Sequence, residues 1–426
     1  VTRLQNAAKH PVTLAQPEPG LTAETLVARA VALRPLLRET QEENDRRGHY
    51  SNEIHDAFRK AGFYRIMQPK LFGGYEFEPS TFLKVVMEIS RGQPGSAWCF
   101  TLAGSHGYFV ASHYPEEVQR ELFGADGEFR AAQVVGPFGK MTRAEGGYLV
   151  SGVWPFASGI PVSTHFIGGS LLPVEGGLPR HVFFATPREN VEILPDWGDE
   201  KFMGMQASGS NSVKLTNVFV PEKMIIDVNM MFSSDAFAHG TPGTRLHGNP
   251  MYLLVAIGWF HCEFGAILSG AARAALDEFE EVARNKVMFG SPERLKRVYD
   301  PVAQNVYGTA LGLADSAETL TLAASDLYTE HCRRFGRDGT PISLKDTFQV
   351  WGMAGQACRL ACEAVEMLFR AAGASTGRRG ERLQRYFRDV EMYRLHIQAQ
   401  PMLPTVRGQV EFGVPSALLG IVGSSK

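Results

Sequence analysis

The chain has 426 residues, room for about three domain-sized units at roughly 150 residues each, and its 44% hydrophobic and 21% charged content excludes a disordered chain or a mini-scaffold. Forty-three Lys+Arg against 45 Asp+Glu leave a formal charge of -2, so no basic field exists to hold a nucleic-acid backbone or an anionic membrane surface. Five scattered cysteines, an odd number, predict reduced thiols in a cytosolic compartment.

From Thr22 to Arg91 apolar residues recur at helical spacing, as in Leu26, Ala30, Leu33 and Leu37, with Ser51 as an N-cap. Gly73-Gly74 and Pro94-Gly95 break this pattern ahead of a compact helix carrying Trp98 and His106. Between Phe129 and Pro221 the pattern changes to short β-rich runs at 148–150, 165–167, 181–184 and 212–220, which predict a small antiparallel sheet. The Ser-, Gly- and Thr-rich stretch from Phe232 to Pro250 predicts a long loop. Helical periodicity returns near 251–289, 298–335, 342–372 and 381–400, which predicts a four-helix bundle. The longest apolar run, Met251 to Phe260, is too short for a bilayer and ends at His261 and Glu263; the N-terminus has no signal-peptide pattern. The expectation is a soluble, cytoplasmic protein of three parts, 1–127 helical, 128–231 β and 232–426 bundle with a leading loop. There is neither a P-loop nor a strand-led Gly-x-Gly-x-x-Gly.

Four strings, in order over more than 300 residues, resemble the acyl-CoA dehydrogenase superfamily. They are Ala-Gly-Phe-Tyr-Arg-Ile-Met-Gln-Pro-Lys-Leu-Phe-Gly-Gly (61–74), Trp-Pro-Phe-Ala-Ser-Gly (154–159), Ala-Ser-Gly-Ser-Asn-Ser-Val-Lys-Leu-Thr-Asn-Val-Phe-Val-Pro-Glu (207–222) and Arg-Tyr-Phe-Arg-Asp-Val (385–390). The resemblance implies an α+β fold with a helical N-terminal domain, a β middle domain and a C-terminal four-helix bundle, assembled as a homotetramer. Family dehydrogenases that carry their base in the last long helix have a Glu in Tyr-Glu-Gly-Thr after the Arg-Asp pair. Here Arg388-Asp389 is followed by Leu395-His396-Ile397-Gln398, with no carboxylate to act as a base.

His396, with Trp98 and His106 eight residues apart, is similar instead to the flavin-dependent monooxygenases of this fold, the oxygenase components of two-component systems of the p-hydroxyphenylacetate hydroxylase type. That resemblance implies reduced FMN, with FAD possible, supplied by a separate NAD(P)H:flavin reductase. It also implies oxygen carried as a flavin C4a-hydroperoxide and hydroxylation of a phenolic or other aromatic substrate. His396 would either accept a phenol proton or donate a hydrogen bond to the peroxide, and His106 would bind the substrate hydroxyl. Ser158 would hydrogen-bond flavin N5, with Phe156 and Trp98 lining the flavin and Trp154 packing. Arg284, in Ala-Arg-Asn-Lys-Val-Met-Phe-Gly, together with Ser375 and Thr376 would hold the flavin phosphate. Arg245 is a flavin or substrate contact, and Gln133 and Val135 face the substrate.

Each residue also has a plain reading: His396 and His106 as packed helix residues, Ser158 as a turn, Arg284 as a helix-end cation. Cys358 and Cys362, one turn apart, read as buried small residues rather than metal ligands. The alternatives within the fold are an N- or S-oxygenating flavin monooxygenase and an FAD-dependent acyl-CoA dehydrogenase. A non-catalytic flavin-binding or scaffold protein is the remaining class.

Overall fold

The computed structural model describes residues 13–228 and 238–416. Helices come first: α1 (Ala23–Glu39), α2 (Gln41–Arg47), α3 (Asn52–Lys60), α4 (Pro79–Gly92), α5 (Pro94–His113) and α6 (Glu116–Phe123). Side-chain caps start two of them, Thr22 accepting from the Thr25 N–H and Ser51 from the Ile54 N–H. Proline at the first turn opens both α4 and α5, where no intrahelical N–H is lost. Eighteen of the 20 residues of α5 are buried, so this helix is walled in on every side rather than on one stripe.

The middle of the chain is one seven-stranded sheet in the order β5-β6-β2-β1-β3-β4-β7. The strands are β1 (Ala131–Ala144), β2 (Gly147–Trp154), β3 (His165–Leu172), β4 (Arg180–Pro187), β5 (Glu192–Ile193), β6 (Val213–Pro221) and β7 (Ile225–Asp227). The expected all-antiparallel arrangement is corrected here, because β1 and β3 run parallel. A tight turn at Glu145-Gly146 pairs β2 antiparallel to β1. The chain then crosses over through residues 155–164 and lays β3 on the other side of β1, as a parallel pair requires. That crossover carries Ser158. Gly159 follows at φ +79°, where a Cβ would come within 2.8 Å of the Cys99 carbonyl oxygen, so glycine lets the crossover sit directly on α5.

Beyond the sheet lie α7 (Pro242–His247), α8 (Ala256–Asn285), α9 (Pro301–Asp338), α10 (Leu344–Ala371), α11 (Arg382–Arg394) and α12 (Met402–Phe412). The loop expected over 232–250 contains helix α7, started by a capping box in which Thr241 and Thr244 bond each other's backbone N–H groups. Its first part falls outside the described residues.

The long helices α8, α9 and α10 pack together, α11 closes against α8 and α10, and α4 lies along α8. At Gly270 a Cβ would meet the Met87 carbonyl oxygen at 2.3 Å, which is why α4 and α8 approach so closely. Ser90 Oγ donates to the Ile267 carbonyl at that crossing, and Arg91 binds Asp277 through two 2.7 Å hydrogen bonds. One continuous apolar core runs through helices and sheet, and a small second cluster, Phe348, Trp351, Leu403 and Val406, seats α12. No helix among the described residues is long and apolar enough to cross a membrane.

Candidate active site

Helices α5 and α8 run antiparallel, with Trp98 stacked on Phe264 (4.8 Å between centroids, 22°) and His106 edge-on to Phe260 (5.6 Å). Successive turns of each helix thus build one aromatic wall with a histidine at its end. The last residues of α11 close the other end, where the His396 ring meets Trp98 (5.7 Å), Phe264 (5.0 Å) and Tyr393 (6.3 Å). From the sheet side, Ser158 Oγ accepts a 3.0 Å hydrogen bond from the Trp98 indole N–H and lies 2.8 Å from Ser210 Oγ, itself 2.7 Å from Ser208 Oγ. Main-chain bonds from the Ala157 N–H to Asn211 and from the Gly159 N–H to Ser208 fix the crossover to this serine segment. Asp389 holds the approach to it, accepting the Met205 N–H at 2.6 Å. Burial and the nearby Asp45 push the Asp389 carboxyl up.

The wall is electrically quiet. Burial lowers His106, His261 and His396 to about 4, so all three are neutral near pH 7. Neutral His106 must donate from Nδ1, because its 2.7 Å partner is the Ala131 carbonyl oxygen; Nε2 then carries a lone pair. His396 has the opposite polarity: its Nδ1 accepts the backbone N–H of Gln398 at 3.3 Å, so the ring proton sits on Nε2. Gln133 on β1 buries its side-chain Nε2 with no hydrogen-bond partner among the described residues, a donor free for a bound molecule. Glu263, beside Phe264, is wholly buried, and desolvation with no cation to offset it pushes its carboxyl up, Ser105 opposing the shift.

Two family models match the chain, the acyl-CoA dehydrogenase N-terminal domain over residues 26–124 and the acyl-CoA dehydrogenase C-terminal domain over 263–401. The chain belongs to the acyl-CoA dehydrogenase family. Among curated relatives, a pigment production hydroxylase of Rhodococcus sp. (strain ATCC 21145) is 29% identical over 88% of this chain and 93% of its own length. The flavin-dependent monooxygenase oxygenase subunit HsaA of Rhodococcus jostii (strain RHA1) is 27% identical over 90% of this chain and 97% of its own. Of solved structures, XiaF from Streptomyces sp. in complex with FADH2 and glycerol superposes with a TM-score of 0.82 at 23% identity, covering 93% of this chain and 96% of that one.

Within this acyl-CoA dehydrogenase fold the residues singled out in the sequence fall into two groups. Trp98, Ser158 and His396 meet at one end of the wall and His106 stands at the other, and Trp154 packs, fully buried with its N–H on the Gly169 carbonyl. Phe156 is half exposed at φ +58°, edge-on to Trp197 and Phe202, and Val135 is also half exposed. His396 is not on a helix, contrary to expectation: α11 stops at Arg394, and His396 caps a short 3-10 turn, Ile397–Ala399. Leu395 and Ile397 are both exposed and Pro401 follows, so neither burial nor backbone geometry favours another helical turn.

The expected phosphate set lies elsewhere. Arg284 is at the far end of α8, about 30 Å along the axis from Phe264, exposed and bonded to Glu280. Near it, Lys286 donates to Ser375 Oγ, while Thr376 is buried with its hydroxyl on the Gly373 carbonyl. Arg245 on α7 bonds the carbonyls of His239 and Gly240, and α7 packs through Gly243 on Ala111 and Ser112, beyond the His106 end of the wall. Not singled out in the sequence were Phe264, Tyr393, Ser208, Ser210, His261 and Gln398. The two serines stood in a quoted string, and His261 was visible only as the polar residue ending an apolar run.

Proposed function

We propose that this chain is the oxygenase component of a two-component flavin-dependent monooxygenase. It takes reduced flavin, FMN first and FAD as the alternative, from a separate NAD(P)H:flavin reductase, and with dioxygen it hydroxylates a phenolic or other aromatic substrate. The observation that carries this reading is the pair of neutral histidines of opposite polarity at the two ends of one aromatic wall. The names of the relatives point the same way.

Bound reduced flavin supplies the electrons that activate dioxygen. Around it, Trp98 and Phe264 offer a flat apolar surface for a fused ring and exclude water. Ser158 Oγ already accepts one N–H, from Trp98, and with its own proton turned to Ser210 it keeps one lone pair for a ring N–H. Gln133 Nε2 is the donor left for a ring or substrate carbonyl. His106 takes the proton of a phenol on Nε2, which makes the ring carbons ortho to the oxygen electron-rich. His396 donates from Nε2–H toward the transferred oxygen, the donating one of its two expected roles.

A dehydrogenase needs an ionised carboxylate at the substrate's α-carbon; the 395–398 turn has no carboxyl group, and burial disfavours the charged form of Glu263. The separated phosphate set, Arg284, Ser375 and Thr376, serves on this reading the site of a second copy in a homotetramer. The exposed Phe289, Tyr299 and Val302 beside it supply apolar contact area. The five buried, unpaired cysteines suit the reducing cytoplasm.

The test is a reconstitution. The purified chain alone should not oxidise NADH. With an unrelated flavin reductase, FMN, NADH and air it should convert members of a phenol panel to hydroxylated products. NADH oxidation by the chain alone sinks the reading, as does a panel of phenols, indoles and thioethers left untouched. Oxygenation of only the thioethers or amines would select the N- or S-oxygenating alternative.

A further inference from the structure

Helix α8 places His261 one turn before Gly265, wholly buried between Trp351 (5.0 Å) and Phe264 (5.9 Å). Its Nδ1 lies 2.5 Å from Gln398 Oε1 and its Nε2 3.4 Å from the Tyr393 hydroxyl. Tyr393 stays protonated, because burial raises its hydroxyl well above the ordinary range. A neutral imidazole donates from one nitrogen and accepts at the other. Its Nδ1–H therefore goes to the Gln398 oxygen, and its Nε2 receives the tyrosine proton.

Gln398 is also the residue whose backbone N–H meets His396 Nδ1. The aliphatic residues of the 395–400 turn do not anchor it, since Leu395 and Ile397 are 67% and 61% exposed, and its ring contacts are those of His396 itself. Its other polar bonds are local: the His396 N–H to the Tyr393 carbonyl, the Ala399 N–H to the His396 carbonyl and Gln400 Nε2 to the Arg394 carbonyl. The Gln398 side chain is the polar link from this turn to the body of α8.

We propose that His261 is a positioning residue: by gripping the Gln398 side chain it fixes the 396–398 turn, so that the Gln398 N–H stays on His396 Nδ1 and His396 presents Nε2–H to the site. Which atom of His396 carries the proton is thereby set by a side chain enclosed by Trp351, Phe264 and Tyr393. The inference rests on the donor role of His396 proposed above, but the tautomer itself is measurable without any turnover. Gln398→Ala removes the grip from a partly exposed turn. His261→Phe removes it from the core. Gln398→Glu keeps an oxygen acceptor at the same reach and should rescue.

Long-range 1H–15N spectra of the full chain with 15N-labelled histidine, with His396 assigned by its loss in His396→Asn, report the tautomer directly. The expected result is one Nε2–H species in the wild type and in Gln398→Glu, and a mixed, averaged signal in Gln398→Ala and His261→Phe. Hydroxylated product per oxygen consumed should fall roughly tenfold in those two variants and recover in Gln398→Glu. An Nδ1–H tautomer in the wild type overturns the proposal, as does an unchanged His396 signal in Gln398→Ala. A lost tautomer with product per oxygen unchanged leaves the positioning role standing and overturns the donor role of His396 in the reaction.

Discussion

The two ends of α8 differ in almost every physical respect. Near its start, Phe260, His261 and Phe264 are enclosed by α5, the 155–164 crossover and the end of α11, with neutral histidines and short side-chain hydrogen bonds. At its end, Arg284 is exposed and Lys286 half-buried, each bonded to a neighbour on the surface, Glu280 and Ser375. On the function proposed above, one copy of the chain builds the part of the site that would meet a ring system. It leaves the cationic part, which would meet a phosphate, facing outward about 30 Å away.

Four measurements test that contrast. The largest effect is expected at the enclosed end: His106→Ala should reduce hydroxylated product by ~10²-fold or more, the scale for a positioned base, while reduced flavin is still consumed. Product analysis against hydrogen peroxide decides it, and undiminished product would leave His106 a packed residue. At the open end, Arg284→Ala should weaken flavin binding by about tenfold, the loss of one charge-assisted hydrogen bond, with product per oxygen unchanged once flavin saturates. Equal affinity in flavin titrations would mean that Arg284 only binds Glu280.

The third measurement is acid unfolding, to which the enclosed end should be the more sensitive. His106, His113, His261 and His396 titrate at about 4 in the fold against about 6.5 unfolded, because burial disfavours their charged forms. The unfolded chain therefore takes up their protons first. The stability they contribute is intact above about pH 6.5 and is lost as pH falls toward 4, by up to about 1.4 kcal/mol per unit for each group. Denaturant midpoints should fall less between pH 7.5 and 4.5 in His113→Phe than in the wild type, because the variant lacks one of these rings, and an identical pH dependence would show that the ring is not buried neutral.

Glu263 has the opposite sign, since its raised carboxyl is stabilising while protonated and costs stability as pH rises through its folded value. The smallest effect follows from this. Glu263→Gln should leave product formation within about twofold and make the protein less sensitive to alkali, because burial already disfavours the charged form of this carboxyl. A collapse of activity in that variant would instead favour the dehydrogenase alternative.

The α+β architecture was legible because long helical periods and local strings survive as one-dimensional signals. Strand β1 was not, since Gly136, Pro137 and Gly139 interrupt its alternation where the β1–β3 pairing shifts register. Ser158 could be found from its motif. That its hydroxyl takes the Trp98 N–H could not, because the two residues are 60 positions apart and the contact depends on how the crossover lies on α5. Periodicity carried His396 into a helix; exposed Leu395 and Ile397 show why that helix stops. His261 was hidden because a histidine at the end of an apolar run is the same in sequence whether it marks a boundary or grips a glutamine 137 residues later.

The close crossing of α4 and α8 at Gly270 also bears on how the chain is born. Met87 and Ser90 face a helix made some 180 residues later, roughly 9 to 36 s at ~5–20 residues per second of synthesis. Throughout that interval the N-terminal helices have no native cover for one apolar side, and closing so long a loop comes late and slowly. Nascent chains arrested before Ile267 should therefore recruit holding chaperones, and release should coincide with the emergence of α8 rather than of the sheet.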